Sequence, residues 1–132
     1  RYPFLIGTSL LSSKKHFYDY IVENLRSGDG MDMFSDSYRS TISFRQAADY
    51  LVDLIEMGDK HPIVNISSDK ALSKYDVGII IAGKLGLDKN LVRAIKVEDS
   101  EGIFVAKRAS STMMDNKLLK SIFKLGEINL EI

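Results

Sequence analysis

Four stretches of this chain carry apolar residues at helical spacing behind a capping signal, and short apolar runs of strand length lie between them. That alternation constrains the fold more than any other feature. Helices interleaved with strands bury their stripes against sheets, which predicts an α/β or α+β domain. Phe4-Leu5-Ile6 is closed by Gly7 and reads as a buried strand end. Ser12 and Ser13 are N-cap candidates for a helix from about Lys14 to Ser27. Phe17, Ile21, Val22 and Leu25 share one face of it, and Gly28 lies just past its end. After a Gly28-Asp29-Gly30 turn, Met31 to Phe34 reads as a short strand, and Ser40 to Ile42 as a second extended piece. Ser43-Phe44-Arg45-Gln46 fits the capping box, and Ala47, Ala48, Leu51, Leu54 and Ile55 then form a helical core stripe ending at Gly58.

The second half repeats the alternation. Ile63 to Ile66, after Pro62, reads as a buried strand. Ser73 caps a helix whose core face is Val77, Ile80, Ile81 and Leu85, with Asp76 in its first turn and Gly86 at its end. Leu91 to Val97 is a weaker extended run. Asp115 is expected to cap a last helix with the stripe Leu118, Leu119, Ile122 and Phe123, closed by Gly126.

Composition sets the function classes. The 132 residues suit one domain, and no repeat or linker divides them. Eighteen Lys and Arg balance eighteen Asp and Glu, so no general field draws nucleic acid or an anionic membrane. No apolar run approaches the roughly 20 residues of a membrane span. Cysteine is absent, which excludes disulfides, cysteine-ligated metals and a cysteine nucleophile, and fits a cytoplasmic location.

Residue chemistry offers no catalytic set. Gly78 to Leu85 has the G-x4-G-K spacing of a phosphate loop, but Leu85 stands where a hydroxyl must reach the metal. The stretch also lies inside the helix that Ser73 caps, so its glycines are expected to allow close packing instead. Asn65-Ile66-Ser67 is a glycosylation sequon in an apparent buried strand, and is read as chance. His16 and His61 lack metal-ligand spacing, and Asp29, Asp32 and Asp36 lack the calcium-loop pattern. Lys107-Arg108 and the series Lys117, Lys120, Lys124 are mild basic clusters, the latter a solvated helix face.

Three segments in order resemble the C-terminal half of the dTDP-4-dehydrorhamnose reductases, of the extended short-chain dehydrogenase/reductase superfamily. Arg1-Tyr2-Pro3-Phe4-Leu5-Ile6-Gly7 is similar to the family's R-T-S-W-x-Y-G strand motif, and Phe17 to Gly28 to the helix that follows. Asp36-Ser37-Tyr38-Arg39-Ser40-Thr41-Ile42, then Gln46-Ala47-Ala48, resembles D-Q-x-G-x-P-T and its D-L-A helix. Arg108-Ala109-Ser110-Ser111-Thr112-Met113-Met114-Asp115-Asn116-Lys117-Leu118 resembles R-P-A-x-S-x-L-D-x-[ST]-K-L. Between them, Asn65 falls at the place of a family His.

The resemblance implies an α/β fold: the end of a Rossmann-type sheet plus a small mixed substrate-binding lobe, residues 1–132 forming a single substrate-binding fragment. The glycine-rich turn and catalytic Tyr-x-x-x-Lys of the family are not in this sequence, since no Tyr has a Lys four residues on. The cofactor half is therefore expected upstream, where NADPH or NADH would bind, and the fragment alone is expected to be inactive. No catalytic, cofactor-binding or metal residue is expected here. The implied partners are a nucleotide-sugar substrate, the chain's own N-terminal cofactor domain and, in a homodimer, a second copy. Phe4 would stack on the sugar or shape its pocket, or be a core aromatic. Arg39 would meet a diphosphate oxygen, or be a surface residue. Ser40 would be an auxiliary hydrogen-bonder, and Arg108 the main substrate-charge contact. Thr41, Ala109 and Arg39 replace a Pro, a Pro and a Gly of the family, changing stiffness and bulk at the pocket wall. The alternatives are a non-catalytic relative built for protein contact, such as the regulatory subunit of methionine adenosyltransferase, a related nucleotide-sugar epimerase or dehydratase, and a self-standing interaction domain.

Overall fold

The computed structural model describes residues 1–58, 60–99 and 109–132. Among these residues six strands and four α-helices follow in the order β1 (Phe4–Ile6), α1 (Phe17–Ser27), β2 (Met31–Phe34), β3 (Tyr38–Ser43), α2 (Phe44–Glu56), β4 (Ala71–Leu72), α3 (Lys74–Leu85), β5 (Val92–Ile95), β6 (Ser111–Thr112) and α4 (Lys117–Phe123). β3 is the hub of the larger sheet. It runs parallel to β1, with Phe4 beside Thr41 and Ile6 beside Ser43, antiparallel to β4 and parallel to β6. β2 and β5 form a separate parallel pair in which Met31 faces Val92 and Phe34 faces Ile95. α3 packs against both strands of this pair. The mixed α/β class expected from the sequence is the one observed.

Two apolar clusters hold these layers. Ile21 and Leu25 of α1, Met31 and Met33 of β2, and Val77 and Ile81 of α3 fill the first. Ile42 of β3, Ala47 and Leu54 of α2, and Leu119 of α4 fill the second, with Ile66 and Ile128 from irregular segments. Gly78 explains how α3 comes so close to its sheet. A Cβ there would lie 2.9 Å from Val92 Cγ1 and 3.0 Å from Met33 Sδ, so only a residue without a side chain allows this approach. The G-x4-G-K segment is helical throughout, as expected.

α2 and α3 start at the capping boxes expected from the sequence. The Ser43 hydroxyl accepts from Gln46 N–H at 3.2 Å, and the Ser73 hydroxyl from Asp76 N–H at 3.1 Å, each with the reciprocal side-chain bond of a capping box. Gly28 and Gly86 end α1 and α3 with φ of 77° and 66°, in the left-handed region that favours glycine.

Several expectations need correction. α1 starts at Phe17, not Lys14, and Ser12 and Ser13 are exposed in the preceding loop. The Asp19 carboxylate decides this start, accepting from the backbone N–H of His16 at 2.9 Å and of Ser9 at 3.0 Å. The His16 bond is the main force that holds the Asp19 carboxyl below its ordinary pKa. In α2 the expected stripe divides. Ala47 and Leu54 are buried, whereas Ala48, Leu51 and Ile55 face out, Ile55 at 69% exposure. In α3, Ile80 and Leu85 lie at the margin of the core instead of inside it. Ile63–Ile66 is not a strand. It is held against the first residue, the Arg1 ammonium donating to Val64 O at 2.7 Å and Ile66 N–H to Arg1 O at 2.9 Å. In α4 the N-cap position is Asn116, although Asp115 Oδ1 still accepts from Lys117 N–H at 2.8 Å. Lys124, with φ of 53°, ends that helix two residues before Gly126. No helix among the described residues is long and apolar enough to cross a membrane.

Candidate functional site

The cleft between the two sheets is built from strand ends. Phe4 opens β1, Phe34 closes β2, Arg39 lies in β3, Leu72 ends β4, Lys74 starts α3, and Val97 follows β5. With Ser37 they line a cavity of about 270 Å³. Its position at the C-terminal ends of the parallel pair β2–β5 is where open α/β sheets place ligands.

Each wall is locally determined. Ring centroids of Phe4 and Phe17 lie 5.6 Å apart with planes tilted by 52°, so the base of α1 fixes the Phe4 ring from behind. The Asp36 carboxylate accepts from Val97 N–H at 3.1 and 3.2 Å, across 61 residues of chain. Ser35 adds its N–H and hydroxyl to Ile95 O at 2.9 and 3.2 Å. Together they tie the turn after β2 to the turn after β5. Arg39 Nη1 donates to Tyr38 O at 2.6 Å and to Ala109 O at 3.4 Å. No carboxylate among the described residues lies in ion-pair range of Arg39. Lys74 holds its ammonium 5.1 Å from the Phe17 ring centroid.

The arrangement is suited to holding a ligand. Among the described lining residues there are two cations, two aromatic rings and no carboxylate, histidine or tyrosine that would move a proton. Nor do the described residues group three potential ligands for a metal ion. A second, wider depression of about 850 Å³ lies between the end of β1 and the C-terminal segment. It has no such consistency of charge, since Arg45 and Lys84 alternate there with Asp49 and Glu131.

Of the four residues singled out by sequence, Phe4 and Arg39 share the cleft. Ser40 lies behind its wall, fully buried, with its hydroxyl accepting from Met114 N–H at 2.9 Å. Arg108 lies outside the described residues. Asn65 is directed to α4: its Nδ2 donates to Asp115 O at 2.7 Å. Sequence reasoning missed Phe34, Ser37, Leu72, Lys74 and Val97. Phe34 was legible as a strand end, but Lys74 and Val97 reach the cleft only through long-range pairing.

Solved structures of the same shape carry closely related names. The dTDP-4-dehydrorhamnose reductase of Yersinia enterocolitica superposes with a TM-score of 0.74 at 18% identity, over 96% of this chain and 42% of its own. That of Bacillus anthracis, in complex with NADP, gives 0.74 at 12%, over 95% and 41%. The Bordetella bronchiseptica enzyme WbmG, in complex with NAD and UDP, gives 0.65 at 14%, over 100% and 38%. This chain has the fold of part of an extended short-chain dehydrogenase/reductase. It spans about two-fifths of the length of each of these enzymes. No protein-family model matches its sequence, and no curated protein matches it. At such identities the extended short-chain dehydrogenase/reductase likeness is one of backbone architecture, and the cleft is defined by this chain's own side chains.

Proposed function

We infer that the chain forms the nucleotide-sugar-holding wall of an NAD(P)H-dependent reductase acting on 4-keto-6-deoxy nucleotide sugars. The single observation that carries this reading is that Phe4 and Arg39, from two motif-like segments, line one cavity. An aromatic face suits the apolar side of a sugar ring or a base, and a guanidinium suits a phosphate. The fold shared with the reductases above supports the same reading.

The chain's part in the reaction is positioning. Phe4, braced by Phe17, limits where the ring lies, and Arg39 fixes the charged end of the ligand. Holding a reacting carbonyl within reach of a hydride donor converts a bimolecular encounter into an oriented one. The described residues do not fit a dinucleotide, since no strand here leads through a glycine-rich turn into a helix N-terminus; β3 runs directly into α2 at Ser43. The nicotinamide and the Tyr/Lys pair are assigned to another part of the protein, the chain's own cofactor domain. A related nucleotide-sugar epimerase or dehydratase is the second reading, favoured by the likeness to WbmG with its NAD and UDP.

The test is turnover by the intact protein with NADPH and dTDP-4-keto-6-deoxy sugar, followed as loss of nicotinamide absorbance. Reduced sugar as product supports the reductase. Conversion without net nicotinamide oxidation supports the epimerase reading. No chemistry on any 4-keto nucleotide sugar removes both. The 132-residue chain by itself is expected to give no turnover and no micromolar NADPH binding by calorimetry.

A further inference from the structure

Residues 127–132 carry no regular structure, yet their side chains alternate as those of a strand do. Ile128 is buried in the second apolar cluster, Leu130 and Ile132 pack against the first, and Asn129 and Glu131 are exposed. The segment therefore crosses from one cluster to the other. Among the described residues no strand pairs with it. Asp69 and the Gln46 side chain hold its backbone instead, and they hold its two ends unequally.

Ile128 is the firm end. Its N–H donates to Asp69 Oδ2 at 2.6 Å, its carbonyl accepts from Asp69 N–H at 2.9 Å, and only 4% of the residue is exposed. The Glu127 carboxylate adds an ion pair with Lys70 at 3.5 Å. Beyond Ile128, Gln46 alone among the described residues bonds the backbone. Its Nε2 donates to Asn129 O at 2.9 Å, and its Oε1 accepts from Glu131 N–H at 3.1 Å. That Oε1 also accepts from Ser43 N–H at the start of α2. Neutral bonds of this kind each add little net stability, and a segment with few buried contacts opens ahead of the rest of its fold.

The same residues form a wall. Leu130, Glu131 and Ile132 line the wider depression of about 850 Å³, together with Ile6, Ser43 and Phe44. The parallel strands β1 and β3 end there, with Ile6 beside Ser43. Access to these strand ends is therefore set by where the segment lies.

We propose that residues 129–132 are a movable strap hinged at Ile128. Docked on Gln46, the strap closes one side of the depression. Undocked, it uncovers the ends of β1 and β3 while Ile128 stays in place. Because Gln46 Oε1 serves both the strap and the α2 cap, undocking is felt at Ser43. The inference is independent of the nucleotide-sugar reading, which concerns the other cleft.

The experiment is native-state hydrogen exchange of the intact protein, followed by NMR over a series of low urea concentrations. The Glu131 and Ile128 amides are each bonded to a single side chain, so they report the two ends separately. Glu131 is expected to exchange through an opening that urea barely favours, and Ile128 through a larger one with a steeper urea dependence. Gln46→Ala removes both strap bonds and should speed exchange at Glu131 about tenfold more than at Ile128. If the two amides share one rate and one urea dependence, there is no hinge and the proposal falls. A second readout follows the depression. The sequence has no cysteine, so Ile6→Cys marks the strand end and Ile81→Cys the core, with wild type as the blank. Faster thiol labelling of Ile6→Cys without urea supports the opening. Equal labelling, both following global unfolding, means that the strap uncovers nothing and overturns it. The exchange measurement on wild type needs no substitution, so a variant that fails to fold leaves that test in force.

Discussion

The Lys120 ammonium lies 3.0 Å from Asp69 Oδ1, joining residues 51 positions apart. The same carboxylate accepts from Ile128 N–H at 2.6 Å, so one side chain ties the segment before β4 to α4 and to the C-terminal segment. The Ile128 N–H is the largest influence, with Lys120 and Asn116 adding to it, and together they hold the Asp69 carboxyl below its ordinary pKa despite partial burial.

A carboxylate with a depressed folded pKa stabilises the fold above its unfolded pKa, and that contribution is lost as pH falls through the folded value. Asp69→Asn is therefore expected to lose about 1–2 kcal/mol at neutral pH, the scale of hydrogen bonds to a charged group. Urea midpoints measured over an acid series check this. The wild-type and variant curves should converge at low pH, and a constant gap would remove the ionised Asp69 from the account.

Gly78→Ala is expected to destabilise the chain by about 1–3 kcal/mol through overpacking. The added methyl meets Val92 and Met33, both in the core. Val92→Ala in the same chain should recover part of the loss, so a double-mutant cycle by chemical denaturation reads the contact directly. Strict additivity of the two changes would show that the clash is relieved elsewhere.

Gln46 joins a helix start to the chain's last residues. Its Oε1 accepts from Ser43 N–H at 3.2 Å and Glu131 N–H at 3.1 Å, and its Nε2 donates to Asn129 O at 2.9 Å. Gln46→Ala should weaken α2 capping and release the C-terminal segment, at about 1–2 kcal/mol. Hydrogen exchange is the sharper measurement. The Glu131 amide should lose protection more than the amides of α3, and equal loss across both would mean global destabilisation only.

Phe4→Ala in the intact protein should raise the KM for the nucleotide sugar about tenfold and leave the KM for the nicotinamide unchanged, since it removes ring contact without touching the cofactor half. Phe4→Leu, which keeps apolar volume against Phe17, should be intermediate. Arg108→Ala should show the same preference for substrate KM. An equal rise in both constants for Phe4→Ala would take Phe4 out of the ligand wall.

The parts of the fold legible in sequence are those decided within four residues. Ser43 with Gln46 and Ser73 with Asp76 are pairs three positions apart, so both helix starts were readable. α1 started later than expected because its cap is a carboxylate inside the helix, Asp19, reaching back to His16 and Ser9. Ile63–Ile66 has strand composition but, among the described residues, pairs its backbone only with Arg1, and a strand is made by its neighbours. The apolar residues of α2 exceed one helical face, and spacing alone does not say which half turns inward. A smaller part of the cleft was readable, for a similar reason. Phe4 and Arg39 sit in motif-like segments, but Lys74 depends on the register of β4 against β3, and Val97 on Asp36 61 residues away.

The cleft collects Phe4, Phe34, Arg39, Lys74 and Val97 from separate elements on two sheets. No single supersecondary unit of the chain contains a working portion of it. Occupancy and completed folding are thus linked equilibria. A ligand of the native cleft, supplied at one hundred times its dissociation constant, would add about 2.7 kcal/mol to the unfolding free energy. Shifts in melting temperature across a panel of sugar nucleotides would rank them without any assay of turnover.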